Sequence, residues 1–238
     1  MIETTKAIVI GTIKFGDTSL IATCYTENGG RKSYLLKGIV ASKKSKIKIA
    51  YFQPLTLLNI TANHNNKGLL NSIREVSVLH QYNSVQTHIK KQTIALFLSE
   101  ILHSAIKEEE QNASLFQYLE TSFLWLDSHD NISNFHLLFL LNLTKYLGFY
   151  PEIIDANASF FDLVKGTFTN SPSINSIKRE NLLVFKRLLG INFDVLHLVD
   201  FNANNRQTIL TILMQYFELH MEGFRKPKSL DILKSVFS

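Results

Sequence analysis

The order of apolar and polar residues changes character once along the chain. Up to about Ser77, apolar positions come in short β-branched runs broken by turn residues. After Tyr82 they recur every three to four positions. The runs Ala7–Phe15, Leu20–Thr26, Arg31–Lys37, Leu55–Thr61 and Leu69–Ser77 predict five strands. Gly16-Asp17, Glu27-Asn-Gly-Gly30 and Asn63-His-Asn-Asn-Lys-Gly68 punctuate them, because Asn and Gly tolerate the positive φ that tight turns need. A long Ser/Lys-rich loop, Gly38–Ala50, separates the third strand from the fourth. Five short strands in some eighty residues fit a small closed barrel, and the OB fold is the common five-stranded barrel that binds nucleic acid. An SH3-like barrel has the same periodicity, which does not separate the two.

Beyond Tyr82, Ile94, Phe97, Leu98, Ile101, Leu102 and Ala105 form one helical stripe, and Leu115, Leu119, Phe123 and Leu126 a second. Phe135–Leu147 is apolar nearly all round, which predicts a helix buried at the centre of its body. Ser133 or Asn134 is the expected N-cap there, and Gly148 the expected stop. Ile209, Ile212, Leu213, Tyr216, Phe217 and His220 mark a late amphipathic helix. Between them, residues 149–172 are irregular and rich in Asp, Asn, Gly and Pro: a loop, a small lobe or a hairpin. The expected architecture is α+β, with an N-terminal five-stranded OB-fold barrel over residues 1–80. An all-helical domain, 81–238, follows and carries the inserted irregular lobe.

Composition narrows the function classes. A 238-residue chain with 45% hydrophobic content and 17 Phe is long enough for a substantial core and too apolar to be disordered. The longest apolar run, Phe135–Leu143, is far short of the roughly 20 residues that span a bilayer. Met1–Lys6 lacks the basic-then-apolar order of a secretion signal. Asn-x-Ser triplets such as Asn112-Ala-Ser114 and Asn157-Ala-Ser159 are therefore read as chance. The single cysteine, Cys24, excludes an intrachain disulfide and any zinc site built on several thiolates; within a strand it reads as a buried, inert thiol. The expected location is the cytoplasm. Residues 1–80 hold eleven Lys/Arg against four acids, +7, so with +5 overall the remaining 158 residues carry −2. A basic first third on a near-neutral body points to a polyanionic partner.

The usual catalytic constellations are missing from the sequence. Gly29-Gly-Arg-Lys-Ser33 lacks the upstream glycine of a phosphate loop, and neither a Gly-x-Ser-x-Gly elbow nor a His-Glu-x-x-His motif occurs. Glu100-Ile-Leu-His103 is a lone Glu-x-x-His, whereas a di-iron bundle needs two, so a structural role is expected for both residues. His220, on an apolar stripe, reads as a satisfied core histidine. The expectation is a protein without catalytic residues, cofactor or metal.

The segment that carries chemistry is Lys37-Gly-Ile-Val-Ala-Ser-Lys-Lys-Ser-Lys-Ile-Lys48, with five lysines. Ammonium groups in such a loop meet phosphates and release counterions, and serine hydroxyls add phosphate hydrogen bonds. Exposed aromatic rings near it stack bases without reading sequence. Phe15, Tyr25, Tyr34, Tyr51 and Phe52 are the candidates, most of them expected in the barrel core. The predicted nucleic-acid site comprises Arg31, Lys32, Tyr34, Lys37, Ser42, Lys43, Lys44, Lys46, Lys48 and Arg74. A merely solvated lysine loop has the same composition.

Lys6-Ala-Ile-Val-Ile-Gly-Thr-Ile-Lys-Phe-Gly-Asp-Thr-Ser-Leu-Ile21 followed by Tyr25-Thr-Glu-Asn-Gly-Gly-Arg31 resembles the opening of RecO proteins. Lys37-Gly38, the Ser-Lys loop through Lys46 and Phe52-Gln-Pro-Leu55 continue the pattern in order. Tyr146-Leu-Gly-Phe-Tyr-Pro151, Phe160-Phe-Asp-Leu-x-x-Gly-x-Phe168, Tyr216-Phe-Glu-Leu-His220 and Lys228-Ser-Leu230 complete it over nearly the whole chain. Many RecO proteins carry a four-cysteine zinc site just after the Leu-Gly-Phe-x-Pro stretch. Here Glu152–Ser159 has no cysteine, and packing by Phe160, Phe161, Leu163 and Phe168 is expected to hold the lobe instead. The resemblance implies a non-enzymatic DNA repair and recombination mediator, acting on the nucleoid of a bacterial cytoplasm. Such a protein binds single- and double-stranded DNA and anneals complementary strands. It associates with RecR, contacts the C-terminal tail of single-strand-binding protein, and helps RecA onto the DNA. Lys90, Lys91 and Lys145 are the cationic candidates for the tail carboxylate. The alternatives kept beside it are an RNA-binding OB protein of translation or tRNA metabolism, and an enzyme with a dispersed site near Glu100 and His103.

Overall fold

Five antiparallel strands open the chain in a computed structural model that describes residues 2–41, 47–64, 70–154 and 157–237. They are β1 (Ile2–Phe15), β2 (Ser19–Thr26), β3 (Gly30–Leu36), β4 (Leu57–Asn63) and β5 (Ser72–Val78), in the sheet order β3-β2-β1-β4-β5. β1 starts earlier than its apolar run because Ile2–Ile8 pairs with β4, from Ile2↔Asn63 to Ile8↔Leu57. The sheet is not zipped into the expected closed barrel. Among the described residues its outer strands meet at a parallel bridge, Tyr34↔Asn71, where the Leu35 N–H donates to the Asn71 carbonyl and the Asn71 N–H to that of Ser33, each at 2.9 Å. The order and the curl are those of an OB-fold sheet, and with the helices that follow the fold is α+β.

Ala7, Val9, Ala22, Cys24, Tyr34, Leu36, Phe52, Leu58 and Ile60 form the core enclosed by the sheet. Cys24 is fully buried, and burial pushes its thiol up to about 12, which keeps it protonated and unreactive. The run Ala7-Ile-Val-Ile10 does not alternate because both of its faces are covered. Helix α1 (Ile89–Ala105) packs on the outer face of β1, and α2 (Ala113–Ser128) lies by Lys6 and Tyr25. Tyr25 stacks on Phe116 with centroids 6.2 Å apart, and Lys6 pairs with Glu120 at 3.1 Å. Asn112 caps α2 by accepting the Leu115 N–H at 2.9 Å. These helices and the sheet make one compact unit, Met1–Asp127.

The second unit, Ser128–Ser238, is built on α3 (Phe135–Tyr146), buried on nearly every side as its composition predicts. Gly148, at φ +84°, ends α3 with the Phe149 N–H bonded back to Thr144 at 3.0 Å, a Schellman-type stop. The cap expectation is corrected. Asn134 holds the N-cap position, but its side chain makes no capping bond and donates instead to the Val199 carbonyl at 2.7 Å. Around α3 lie α4 (Arg179–Lys186), α5 (Ala203–His220) and α6 (Leu230–Val236).

The segment from Phe149 is more regular than its composition suggests. β6 (Phe160–Asp162) and β7 (Thr167–Thr169) form a hairpin, and β8 (Ser176–Ile177) adds a third strand in the order β7-β6-β8. Phe161 packs against Phe168, Phe185 and Tyr216 at 5.1–6.1 Å between centroids. The His220 ring nitrogen bonds the Leu163 carbonyl at 2.8 Å while its ring stacks on Phe149, so this histidine is satisfied within the packing. Gly166 is required at its turn: φ is +68°, and a β-carbon there would stand 2.7 Å from the Tyr216 hydroxyl. Among the described residues no helix is long and apolar enough to cross a membrane.

Candidate nucleic-acid interface

The β2–β3 hairpin places Arg31 and Lys32 where the sequence puts them, and both side chains have partners within the protein. The Arg31 guanidinium donates to the carbonyls of His103 and Ile106, at 3.0 and 2.9 Å, at the C-terminal end of α1. The last carbonyls of a helix lack intrahelical donors, so the half-buried guanidinium is a natural partner for them. Burial lowers its pKa, opposed by the charge of Glu109. Lys32 pairs with Glu109 at 3.0 Å. The run Glu108-Glu109-Glu110, which follows α1, thus lies against the hairpin and neutralises part of the basic surface. The His103 ring of Glu100-x-x-His103 faces Gly11 and Arg31.

Tyr34 is corrected too. It is fully buried, and its hydroxyl bonds His64 at 3.0 Å, which in turn bonds Glu3 at 3.0 Å. Its ring packs the core and offers no face to a base. Of the other aromatic candidates, Tyr25 and Phe52 are buried and Tyr51 is half-buried, while Phe15 is 50% exposed. Ser42, Lys43, Lys44 and Lys46 lie outside the described residues.

Three of the predicted cations remain exposed: Lys37, Lys48 and Arg74. Lys37 opens the turn after β3, which Gly38 makes with φ +65°. Lys48 precedes a 3-10 turn, Ile49–Phe52, and its carbonyl accepts the Tyr51 N–H at 3.0 Å. Arg74 is the extra residue of a β-bulge, where Ile73 faces Ala62 and Glu75 faces Thr61. One groove of about 400 Å³ lies at the seam where β3 and β5 approach. Lys37 lines it with Leu35, Ile39, Ile47, Asn71 and Ile73, and Lys48 and Arg74 directly follow the lining residues Ile47 and Ile73. Cations around an apolar floor suit a chain of phosphates whose bases need somewhere dry to rest.

The helical cationic candidates divide. Lys91 is buried and donates to the Ser84 hydroxyl at 2.7 Å and the Asp127 carbonyl at 2.9 Å, so it is removed from the set. Lys90 is exposed, and so is Lys145, whose ammonium lies 4.6 Å from the Tyr150 ring centre. Residues 152–159, at the place of the family's zinc site, include no cysteine. The one cysteine is on β2, and among the described residues no group of three or more His, Cys, Asp or Glu is disposed to hold a metal.

Comparison with known proteins adds the decisive observation. Residues 1–82 match the model of the recombination protein O N-terminal region, and residues 86–231 that of its C-terminal region. The chain belongs to the RecO family. It is 47% identical to the DNA repair protein RecO of Flavobacterium psychrophilum over 234 residues, 98% of each chain. It is 38% identical to that of Bacteroides fragilis and 29% identical to that of Porphyromonas gingivalis, with both chains covered in full. RecO is thus a family of DNA repair and recombination proteins, and the candidate interface lies on its N-terminal region.

Proposed function

We propose that this RecO chain is a non-enzymatic mediator that binds single- and double-stranded DNA and anneals complementary strands. What carries the reading is exposed Lys37 in the lining of the groove at the β3–β5 seam, with exposed Lys48 and Arg74 next in sequence to the lining residues Ile47 and Ile73, and with Lys43, Lys44 and Lys46 between Lys37 and Lys48 in sequence. Annealing needs no bond-making residue. Cations that neutralise two backbones at once lower their mutual repulsion, and base pairing supplies the drive.

The same reading assigns RecR and the C-terminal tail of single-strand-binding protein as partners. The consequence is help for RecA in replacing that protein on DNA, at the nucleoid of the cytoplasm. Lys90 and Lys145 are the exposed cations that remain as candidates for the tail carboxylate.

The test is a strand-annealing assay with complementary oligonucleotides, bare and coated with single-strand-binding protein, alongside a salt titration of single-strand binding. Combined charge reversal at Lys37, Lys48 and Arg74 is expected to abolish annealing while the protein still melts cooperatively. Retention of wild-type annealing and salt dependence would overturn the reading. A matched RNA oligonucleotide, bound more tightly than the DNA, would favour the RNA-binding alternative.

A further inference from the structure

The outer face of β1 carries an apolar row that outruns its cover. Ile8 and Ile10 are buried there, and the His103 ring of α1 reaches as far as Gly11. Pairing of β1 with β4 ends at Ile8, and a bulge between Val9 and Gly11 shifts its register on β2. From Gly11 to Phe15 the strand therefore pairs with β2 alone. Cross-strand partners share a face, so Ile13 with Ile21 and Phe15 with Ser19 continue the outer row. Ile13 is 61% and Phe15 50% exposed. Among the described residues no ring or cation stacks on Phe15, and the residue opposite it is only a serine.

That ribbon end is fastened to the start of the lysine segment. The Gly38 N–H donates to the Ser19 hydroxyl at 3.2 Å, and the Val40 N–H to the Thr18 carbonyl at 3.0 Å. Exposed Lys37 directly precedes Gly38 in this tie, whereas Lys14 pairs with Leu20 on the other face of the ribbon. With Val40, which is 51% exposed, the ribbon end shows three apolar side chains, too small a patch for a protein partner of ordinary size. An exposed aromatic face at the start of a basic segment is the unit that holds one unpaired base while nearby cations neutralise its phosphates.

We propose that Phe15 is a base-stacking residue for single-stranded DNA, with Ile13 beside it, at the end of the β1–β2 ribbon. This rests on the DNA-binding reading above and adds a stacking contact to its phosphate contacts. Such a contact holds one strand with its pairing edge free for a complement.

The experiment uses the full chain and an oligo-dT strand, with an abasic strand of equal length as the second probe. Phe15→Ala is expected to weaken oligo-dT binding about tenfold, within the range of one lost base stack. The slope of binding against salt should not change, because no phosphate contact is removed. On the abasic strand wild type and Phe15→Ala should bind alike. Phe15→Trp in a Trp125→Phe background should bind like wild type and lose indole fluorescence on oligo-dT. Wild-type affinity of Phe15→Ala for oligo-dT overturns the assignment while leaving the DNA reading intact, as does an equal loss on both strands. A Phe15→Ala chain that sediments as a smaller species, with DNA binding unaltered, also overturns it and makes the row a self-association surface. If the wild type binds neither strand, both readings fall.

Discussion

The buried Lys91 ammonium donates to the main-chain carbonyl of Asp127 at 2.9 Å, and the Asp127 carboxylate faces the other way, into the turn that leads to α1. It accepts the N–H groups of Asn83, Ser84 and Val85 at 2.8–3.1 Å, and Ser84 bridges the two residues through its hydroxyl. The end of α2 thus holds the segment that joins the sheet to α1, which is why these helices and the sheet form one unit.

Breaking that tie is expected to loosen the first unit. Lys91→Ala removes a buried charge from two acceptors and should cost about 2–4 kcal/mol in urea unfolding. Burial by itself would raise the Asp127 pKa; the backbone donors at 83–85 and the Ser84 hydroxyl more than offset this and lower it. A depressed carboxylate contributes stability that is complete above its unfolded value of about 3.9 and disappears as pH falls through the folded one. Asp127→Asn should therefore destabilise at pH 7 and differ little from wild type in strong acid. An equal deficit at every pH would show that charge is not what matters.

Gly30 makes the closest approach in the hairpin. At φ +61° a β-carbon would collide with the carbonyl of Glu110 and lie 2.8 Å from that of Glu108. Both are backbone atoms with little room to yield. Gly30→Ala should cost about 2 kcal/mol or more, combining left-handed strain with the collision. Thermal melting reads it, and a melting point within a degree of wild type would sink the claim.

Arg31 and Lys37 separate stability from binding, though both were expected in one interface. Arg31→Gln, which strips donors from the end of α1, should lower stability by about 1–3 kcal/mol and leave DNA affinity of the folded protein unchanged. Lys37→Glu should do the reverse, weakening single-strand binding and reducing the log–log salt slope by about 0.7. Salt titrations of both variants decide between them; a steep affinity loss in Arg31→Gln would return that residue to the interface.

Much of the fold was legible because periodicity reports burial. The strands, the stripe of α1, the all-round burial of α3 and the stop at Gly148 all follow from local pattern. The first predicted strand begins only at Ala7 because Glu3, Thr4 and Thr5 carry no apolar alternation, yet the pairing of β1 with β4 needs only backbone groups there. β6 to β8 have two or three residues each, too few to show a period. The site was harder to read for a different reason. Whether a cation is available depends on partners far along the chain: Glu109 is 77 residues from Lys32, and His103 is 72 from Arg31. No window of sequence contains both members of such a pair. Phe15 could be named as an aromatic near the basic segment, but its exposure depends on where α1 stops covering β1.

His136 gives the second unit its own response to acid. It is fully buried in the first turn of α3, with the Phe237 ring 5.3 Å away. Burial, reinforced by the charge of Arg206, lowers its pKa to about 3. In the unfolded chain an imidazole titrates near 6.5. Between those values the unfolded chain takes up a proton that the folded one refuses, so acid favours unfolding. The stability held by neutral His136 is complete above about pH 6.5 and shrinks by up to about 1.4 kcal/mol for each unit below it, until the folded pKa is reached. Hydrogen exchange of the α3 amides, Leu137–Leu143, follows this unit without relying on a two-state melt. From pH 7 to pH 5, after correction for intrinsic exchange, protection should fall about 25-fold in the wild type. In His136→Leu, which cannot take up the proton, it should fall much less. Parallel losses in the two proteins would place the acid sensitivity elsewhere in the unit and refute the assignment to His136.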